Sequence, residues 1–170
     1  MPKAGAHPIF RGMTGAPRTA ADVVRRWFPV IIWLGFVFFM STGTFSAENT
    51  FSVVGPILNF LFPSLSPDRA AMIHTMIRKG AHVFEYFVLG LLLLRAFRAN
   101  SSADWRWRWC LFAAIGVLLW ALGDEFHQLF VPNRTASMRD VGIDTAGGLF
   151  AQLVGAFWYL SLGRPYSRKP

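Results

Sequence analysis

Two short stretches of the sequence carry histidine and carboxylate side chains at spacings that suit acid–base chemistry. His82 and Glu85 are three residues apart, so they share one face if this stretch is helical. Asp124 and Glu125 are adjacent, so on a helix their side chains diverge by about 100°. We therefore predict that one of these two carboxylates enters a polar cluster while the other faces a loop. These four residues are the catalytic candidates.

Further polar residues close to these stretches are suited to binding an anionic group. A guanidinium group can contact a carboxylate or a phosphate through two parallel hydrogen bonds, which makes Arg134 and Arg139 the first candidates. The binding candidates at this stage are Lys79, Gln128, Arg134, Arg139, Asp140 and Asp144.

The carboxylates at these positions should need cations nearby. An ionisable group within a membrane is costly and usually turns towards a partner, which applies to Glu85. Acidic residues are also disfavoured at the C-terminal end of a helix, where we place Asp124 and Glu125. The expected partners are Arg78, Lys79 and Arg134.

Metal chemistry has little support from spacing along the chain. His82-x-x-Glu85 and Glu125-x-His127 offer nitrogen and oxygen ligands, but neither spacing is a specific signature. The sequence has no Gly-rich phosphate loop and no HExxH motif. We therefore predict no metal ligands and no cofactor.

The elements that carry these residues are predicted to be membrane-spanning helices. Of the 170 residues, 54% are hydrophobic, and they are concentrated in blocks rather than interleaved with polar residues as in a soluble domain. We predict an all-α integral membrane four-helix bundle, in which small residues such as Gly148, Ala151 and Gly155 allow close packing. The four spans are about 27–40 (with a start at residue 23 left open), 81–97, 109–126 and 141–162.

A shorter apolar segment, residues 51–65, separates the first two spans. It contains Gly55, Pro56 and Pro63 and is too short for a full crossing, so we predict an interfacial or re-entrant piece. Ser66 and Pro67 then open a helix that reaches the Arg78–Gly80 stretch before the second span.

The distribution of positive charge predicts the orientation of the chain. The net charge is +8, and basic residues flank the apolar blocks, which favours a membrane over a nucleic acid as the partner. We divide the chain into a disordered basic arm (1–22), a transmembrane domain (23–162) and a basic tail (163–170). The positive-inside rule places both termini in the cytoplasm and the polar candidates at the outer end of the bundle.

Three blocks of sequence resemble the VanZ-like membrane proteins of bacteria. They are RKGAHVFEY (78–86), GDEFHQLFVPNRTASMRD (123–140) and DTAGG (144–148), and the resemblance covers about residues 45–155. It adds Tyr86 to the binding candidates, because that position matches a polar family position. Two positions differ: Asn133 stands where the family often has Gly, and Asp144 where it often has Asn. Asn tolerates a left-handed turn better than most residues do, so we expect the turn at Asn133 to survive.

The resemblance implies a multi-pass protein of the bacterial inner membrane, and the namesake of the family is associated with teicoplanin resistance. Our leading hypothesis is that the outer polar cluster binds the head of an amphiphilic envelope molecule: a lipid-linked cell-wall intermediate, a phospholipid or a lipophilic glycopeptide. Two other hypotheses stay open, an intramembrane acid–base enzyme and a structural or partner-binding protein. The lipid bilayer is the expected partner, and a homo-oligomer is also left open.

Overall fold

The part of the chain that the computed structural model describes, residues 19–98 and 105–162, is helical and contains no strand. This confirms the all-α class. A short 3-10 helix, Gly43–Phe45, follows the first α-helix. The five α-helices are α1 (Ala20–Met40), α2 (Ala47–Leu61), α3 (Pro67–Arg98), α4 (Arg108–Gln128) and α5 (Met138–Leu162).

Several sequence-based predictions concern residues outside the described ranges. These residues are 1–18 of the predicted basic arm, 99–104 of the loop between the second and third spans, and the tail 163–170. Since α1 begins at Ala20, the last three residues assigned to the arm lie in the first turn of a helix.

The start of α1 is fixed by a capping box. The backbone N–H of Asp22 donates to Oγ1 of Thr19 (3.2 Å), and the backbone N–H of Thr19 donates to Oδ2 of Asp22 (3.3 Å). Further along, Nε1 of Trp33 donates to the backbone oxygen of Glu85 (2.9 Å), which holds α1 against α3. The helix starts before residue 27, so Pro29 lies in its interior.

Three of the described helices, α1, α3 and α4, are long and apolar enough to cross a membrane. At 1.5 Å per residue, a helix of 21 residues such as α1 or α4 spans about 30 Å, the thickness of the hydrocarbon core. Large apolar side chains such as Ile31, Leu119 and Leu153 are exposed on the outside of the helices, as a lipid environment requires. The chain is therefore a membrane protein.

Helix α5 packs against α3 and α4 in the same bundle but is not one of the three described helices that are long and apolar enough to cross a membrane. Its 25 residues correspond to about 37 Å, and its exposed residues include Phe150, Phe157 and Trp158. The fourth span thus remains a prediction.

Helix α3 is continuous over 32 residues, so the helix opened by Pro67 and the predicted second span are one element. It packs against α1, α2, α4 and α5 and forms the centre of the structure. The predicted interfacial piece is α2, a 15-residue helix of about 22 Å that is capped by Ser46 and is too short to cross a bilayer. Its position in the interface remains a prediction.

Small residues set the close approach of α5 to its neighbours, as the sequence predicted for Gly148 and Gly155. A Cβ atom on Gly148 would lie 2.4 Å from Val117 of α4, and one on Gly155 would lie 2.4 Å from Leu94 of α3. Gly147 approaches closest to backbone, because a Cβ there would lie 2.6 Å from the carbonyl oxygen of Val83. These contacts hold the helices at a separation that larger side chains would prevent.

Candidate functional site

The polar candidates meet where the middle of α3, the end of α4 and the start of α5 come together. Two adjoining cavities, of about 120 and 170 Å³, open among these elements, and Arg78, His82 and Arg134 lie in the walls of both. Glu85 and Asp124 line only the smaller cavity. Lys79, Gln128, Asn133, Thr135 and Asp140 line only the larger cavity.

An ion pair between α3 and α5 closes one side of the larger cavity. Nζ of Lys79 donates to Oδ1 of Asp140, and the two side chains stay partly exposed, at 42% and 24%. Arg139, the neighbouring candidate, is exposed and lines neither cavity. A cation at the rim is therefore supplied by Lys79, while Arg139 lies at the surface.

Arg134 reaches from the α4–α5 loop to the end of α1. Its Nη2 donates to the carbonyl oxygens of Met40 (2.5 Å) and Thr42 (3.0 Å), and its Nε donates to Thr42 (3.3 Å). Burial lowers the pKa of this guanidinium, the nearby charge of Arg78 lowers it further, and the neighbouring carboxylates oppose both effects. Arg134 is thus a partly desolvated cation held at a fixed position.

Arg78 occupies a similar position on α3 and was not among the sequence-based candidates. Its Nη1 donates to the carbonyl oxygen of Phe45 (2.8 Å) and to Oγ1 of Thr50 (3.0 Å), so it links α3 to α2 and to the 3-10 helix. Its place in the walls of both cavities makes it a candidate for binding an anion. The signal in the sequence was its position directly before Lys79.

The predicted ion pairs between cations and the buried carboxylates were wrong, although Arg134 interacts electrostatically with these carboxylates. Within the described ranges the two ion pairs are Lys79–Asp140 and His82–Asp144, and neither involves Glu85, Asp124 or Glu125. The reason is that Arg78 and Arg134 donate to backbone carbonyl groups at helix ends and loops, which also need hydrogen-bond partners.

Three carboxyl groups lie close together inside the bundle. Ligand atoms of Asp124, Glu125 and Asp144 fall within 4.8 Å of one another, and all three residues are buried. Nε2 of Gln128 donates to Oδ2 of Asp124 (3.1 Å), and the backbone N–H of Ser137 donates to Oε2 of Glu125 (2.6 Å). The other oxygen of each of these two groups has no hydrogen-bond partner among the described residues.

The prediction that only one of the adjacent acids turns inward was also wrong, because both Asp124 and Glu125 are buried. They do point in different directions. Asp124 faces the smaller cavity, and Glu125 faces an apolar groove between α4 and α5 of about 350 Å³. Both directions are interior because the end of α4 is covered on one side by α3 and on the other by the start of α5. The groove is lined by Leu122, Glu125, Phe126, Leu129, Ala136, Ser137, Met138 and Val141.

Asp144 and Tyr86 are the most deeply buried polar candidates, each with no exposed surface. Nδ1 of His82 lies 3.5 Å from Oδ1 of Asp144, close enough for an electrostatic contact. Neither oxygen of Asp144 nor the hydroxyl of Tyr86 has a hydrogen-bond partner among the described residues. Buried polar groups in proteins normally have hydrogen-bond partners, so the unpaired oxygens of Asp144 and Tyr86 are unusual.

The loop that carries Arg134 turns at a residue in the left-handed region. Asn133 has a φ of 61°, which confirms the left-handed turn expected at this position. The turn brings Arg134 back towards α1 and allows Ser137 to reach Glu125.

A family model described as VanZ/LLP1 matches residues 26–159. The chain belongs to the VanZ/LLP1 family. The match covers most of α1, all of α2, α3 and α4, and nearly all of α5, and so includes every candidate residue of this VanZ/LLP1 protein. Neither the comparison with curated proteins nor the comparison with solved structures found a match.

Proposed function

We propose that this VanZ/LLP1 protein binds the anionic head of an amphiphilic envelope molecule in the cleft formed by the two cavities. The observation that carries the proposal is the lining of the cleft by three cations, Arg78, Lys79 and Arg134. Three acids share its walls, Glu85, Asp124 and Asp140, and the last of them is paired with Lys79. Arg78 takes the place that the sequence suggested for Arg139. Guanidinium and ammonium groups together are the usual ligands of a phosphate or carboxylate head.

The size of the cleft favours a small head over a large one. Its cavities measure about 120 and 170 Å³, below the roughly 300 Å³ at which sites for drug-sized ligands begin. A phospholipid head or the phosphate end of a lipid-linked precursor fits this space. A lipophilic glycopeptide could place only part of its polar surface there. The proposed link to teicoplanin tolerance therefore runs through a cell-wall precursor more readily than through the antibiotic.

The placement of the cleft in the membrane rests on the distribution of charge. Arg95, Arg98, Arg106 and Arg108 lie at the end of the bundle away from the cleft, where α3 ends and α4 begins. The positive-inside rule puts that end in the cytoplasm, which leaves the cleft facing the outer side of a bacterial inner membrane.

Lys79 is the cleanest residue for testing the proposal, because Arg78 and Arg134 also hold the backbone in place. We expect Lys79→Met to weaken binding of a labelled short-chain phosphatidic acid at least tenfold, since a charge-assisted hydrogen bond contributes about 1.5–3 kcal/mol. The measurement is equilibrium binding to the purified protein in a neutral detergent.

Two further variants control this experiment. Arg69→Met removes an exposed cation near the start of α3 and should leave binding unchanged. The double variant Lys79→Met/Asp140→Asn leaves no unpaired acid behind and should bind as weakly as Lys79→Met. Equal binding by wild type and Lys79→Met would overturn the proposed role of the cleft.

An acid–base enzyme is a second candidate, favoured by the contact between His82 and Asp144. His82 lies in the walls of both cavities, and a buried carboxylate that contacts one ring nitrogen can orient the ring for proton transfer at the other. Glu125, the other base considered from the sequence, faces the groove instead. Arg134 would stabilise negative charge that develops on the substrate.

The test of this second candidate compares lipid and cell-wall-precursor profiles of three isogenic strains. They carry a deletion, the wild type, and His82→Gln at matched membrane abundance. We expect an enzyme to change one species in the wild type and not in His82→Gln, because glutamine cannot accept the proton. Identical profiles in all three strains would refute turnover. A strong loss of folded protein in His82→Gln would instead favour a cluster that locks the helices together.

A further inference from the structure

The carboxyl groups of Asp124, Glu125 and Asp144 come from two different helices and meet only in the folded protein. Their ligand atoms lie within 4.8 Å of one another, and the three side chains are nearly or fully shielded from solvent. Like charges this close in a low-dielectric interior repel strongly, so a charge of opposite sign must compensate them. The spacing along the chain gave no sign of this group, because Asp144 is twenty residues away in sequence.

The cations of the site supply only part of the compensation. Lys79 is already paired with Asp140. The four remaining carboxyl groups are those of Glu85, Asp124, Glu125 and Asp144. The cleft holds two guanidinium groups, those of Arg78 and Arg134, which also donate to backbone carbonyls. With these four carboxyl groups ionised and His82 neutral, the groups named here sum to two negative charges, which is the charge that one divalent cation neutralises.

A second observation comes from outside the acidic group. Tyr86 of α3 is fully buried, and its hydroxyl has no hydrogen-bond partner among the described residues. This hydroxyl interacts electrostatically with all three carboxyl groups and with Glu85. Four carboxylate oxygens and one phenol oxygen are thus buried together without partners, two of the carboxylate oxygens being those of Asp144. Oxygen atoms in this number are what a hard divalent cation binds.

We infer that Asp124, Glu125 and Asp144 bind a divalent cation such as Mg²⁺ or Mn²⁺. His82 contacts Asp144 from the cavity side and acts as the outer partner that orients this ligand. Asp124 also lines the smaller cavity, so the ion has a path from the cleft to the carboxyl groups. The inference does not depend on the proposed lipid ligand, because it rests on the charges of the protein alone.

The test is a Mn²⁺ titration of the full-length protein in nanodiscs of phosphatidylcholine, which carries no net charge. Free Mn²⁺ is measured by electron paramagnetic resonance after the protein has been freed of metal with a chelator. We expect one Mn²⁺ per chain at micromolar concentration and an affinity at least tenfold weaker in Asp144→Asn. Asp68→Asn removes an exposed acid in the first turn of α3 and should bind as the wild type does.

Thermal unfolding gives a second measurement, which also detects a variant that does not fold. Mn²⁺ should raise the midpoint of thermal unfolding of the wild type, because an ion that binds only the folded state stabilises it. Glu125→Gln should fold and should lose most of this rise. Absence of saturable binding of Mn²⁺, Mg²⁺, Ca²⁺ and Zn²⁺ by the wild type would overturn the inference and assign the neutralisation to protons. Equal affinity in wild type, Asp144→Asn and Glu125→Gln would also overturn it. The lipid test uses no metal, so either proposal can fail alone.

Discussion

Gly147→Ala is expected to lower the free energy of unfolding by about 3 kcal/mol or more, the upper part of the range for overpacked interiors. The added Cβ would lie 2.6 Å from the carbonyl oxygen of Val83 and 3.2 Å from its Cα. These are backbone atoms of α3, so the clash cannot be relieved by rotating a side chain. The two helices must move apart, which also separates Asp144 from the residues of α3.

Gly142→Ala is the matched control, on the same helix and with the same chemical change. A Cβ at Gly142 meets nothing within 4 Å, and alanine is the better helix former by about 1 kcal/mol. This variant should therefore be as stable as the wild type or slightly more stable. Thermal unfolding of the two variants in the same detergent, followed by circular dichroism, gives the comparison. Similar midpoints would show that α3 and α5 are not packed as closely as the structure has them.

The helical membrane fold could be predicted from the sequence because the apolar residues are grouped. A block such as 109–126 is long enough for a bilayer crossing, and helix α4 differs from it by only one or two residues at each end. The join between the Pro67 helix and the second span was missed. The stretch Arg78–Gly80 looks like a boundary in the sequence, but inside α3 its charged groups have hydrogen-bond partners on α2 and α5.

The gathering of the polar candidates was also readable from the sequence, whereas their pairing was not. Orientation of the spans predicted that Lys79, Asp124 and Asp140 lie near one another. Which of them pair depends on how the α4–α5 loop turns and how deep α5 lies. Lys79 meets Asp140 because α5 begins beside α3, and Asp124 is left to contact Gln128. These pairings depend on tertiary geometry, which the spacing of residues along the chain does not determine.

The hydrogen-bond partners of Arg134 could not be predicted from the sequence either. A guanidinium group in a loop beside carboxylates suggests an ion pair, yet this one satisfies the carbonyl oxygens of Met40 and Thr42. The last turn of α1 contains no basic residue, so its end has no cation of its own. The unpaired carbonyl groups at the negative end of a helix attract a cation from elsewhere in the chain. The side chains in the sequence do not show which backbone carbonyl groups need a hydrogen-bond partner.

Arg134→Met is expected to lower the free energy of unfolding by about 3 kcal/mol or more. A hydrogen bond to a charged group contributes about 1.5–3 kcal/mol, and this residue makes three hydrogen bonds to two carbonyl oxygens. Methionine fills similar space but donates nothing, so the end of α1 loses its partner. Because Arg134 also holds the loop that presents Ser137 to Glu125, the acidic group should become more exposed at the same time.

Two further substitutions show whether the fork of hydrogen bonds or the charge alone matters. Arg134→Lys keeps the charge but cannot reach both carbonyl groups with the same geometry, so its stability should fall between those of wild type and Arg134→Met. Arg139→Met removes an exposed cation a few residues away and should change stability by less than about 0.5 kcal/mol. Denaturant unfolding of the three variants in one detergent measures the differences. If Arg134→Met and Arg139→Met unfold at the same denaturant concentration, the hydrogen bonds of Arg134 do not hold the end of α1.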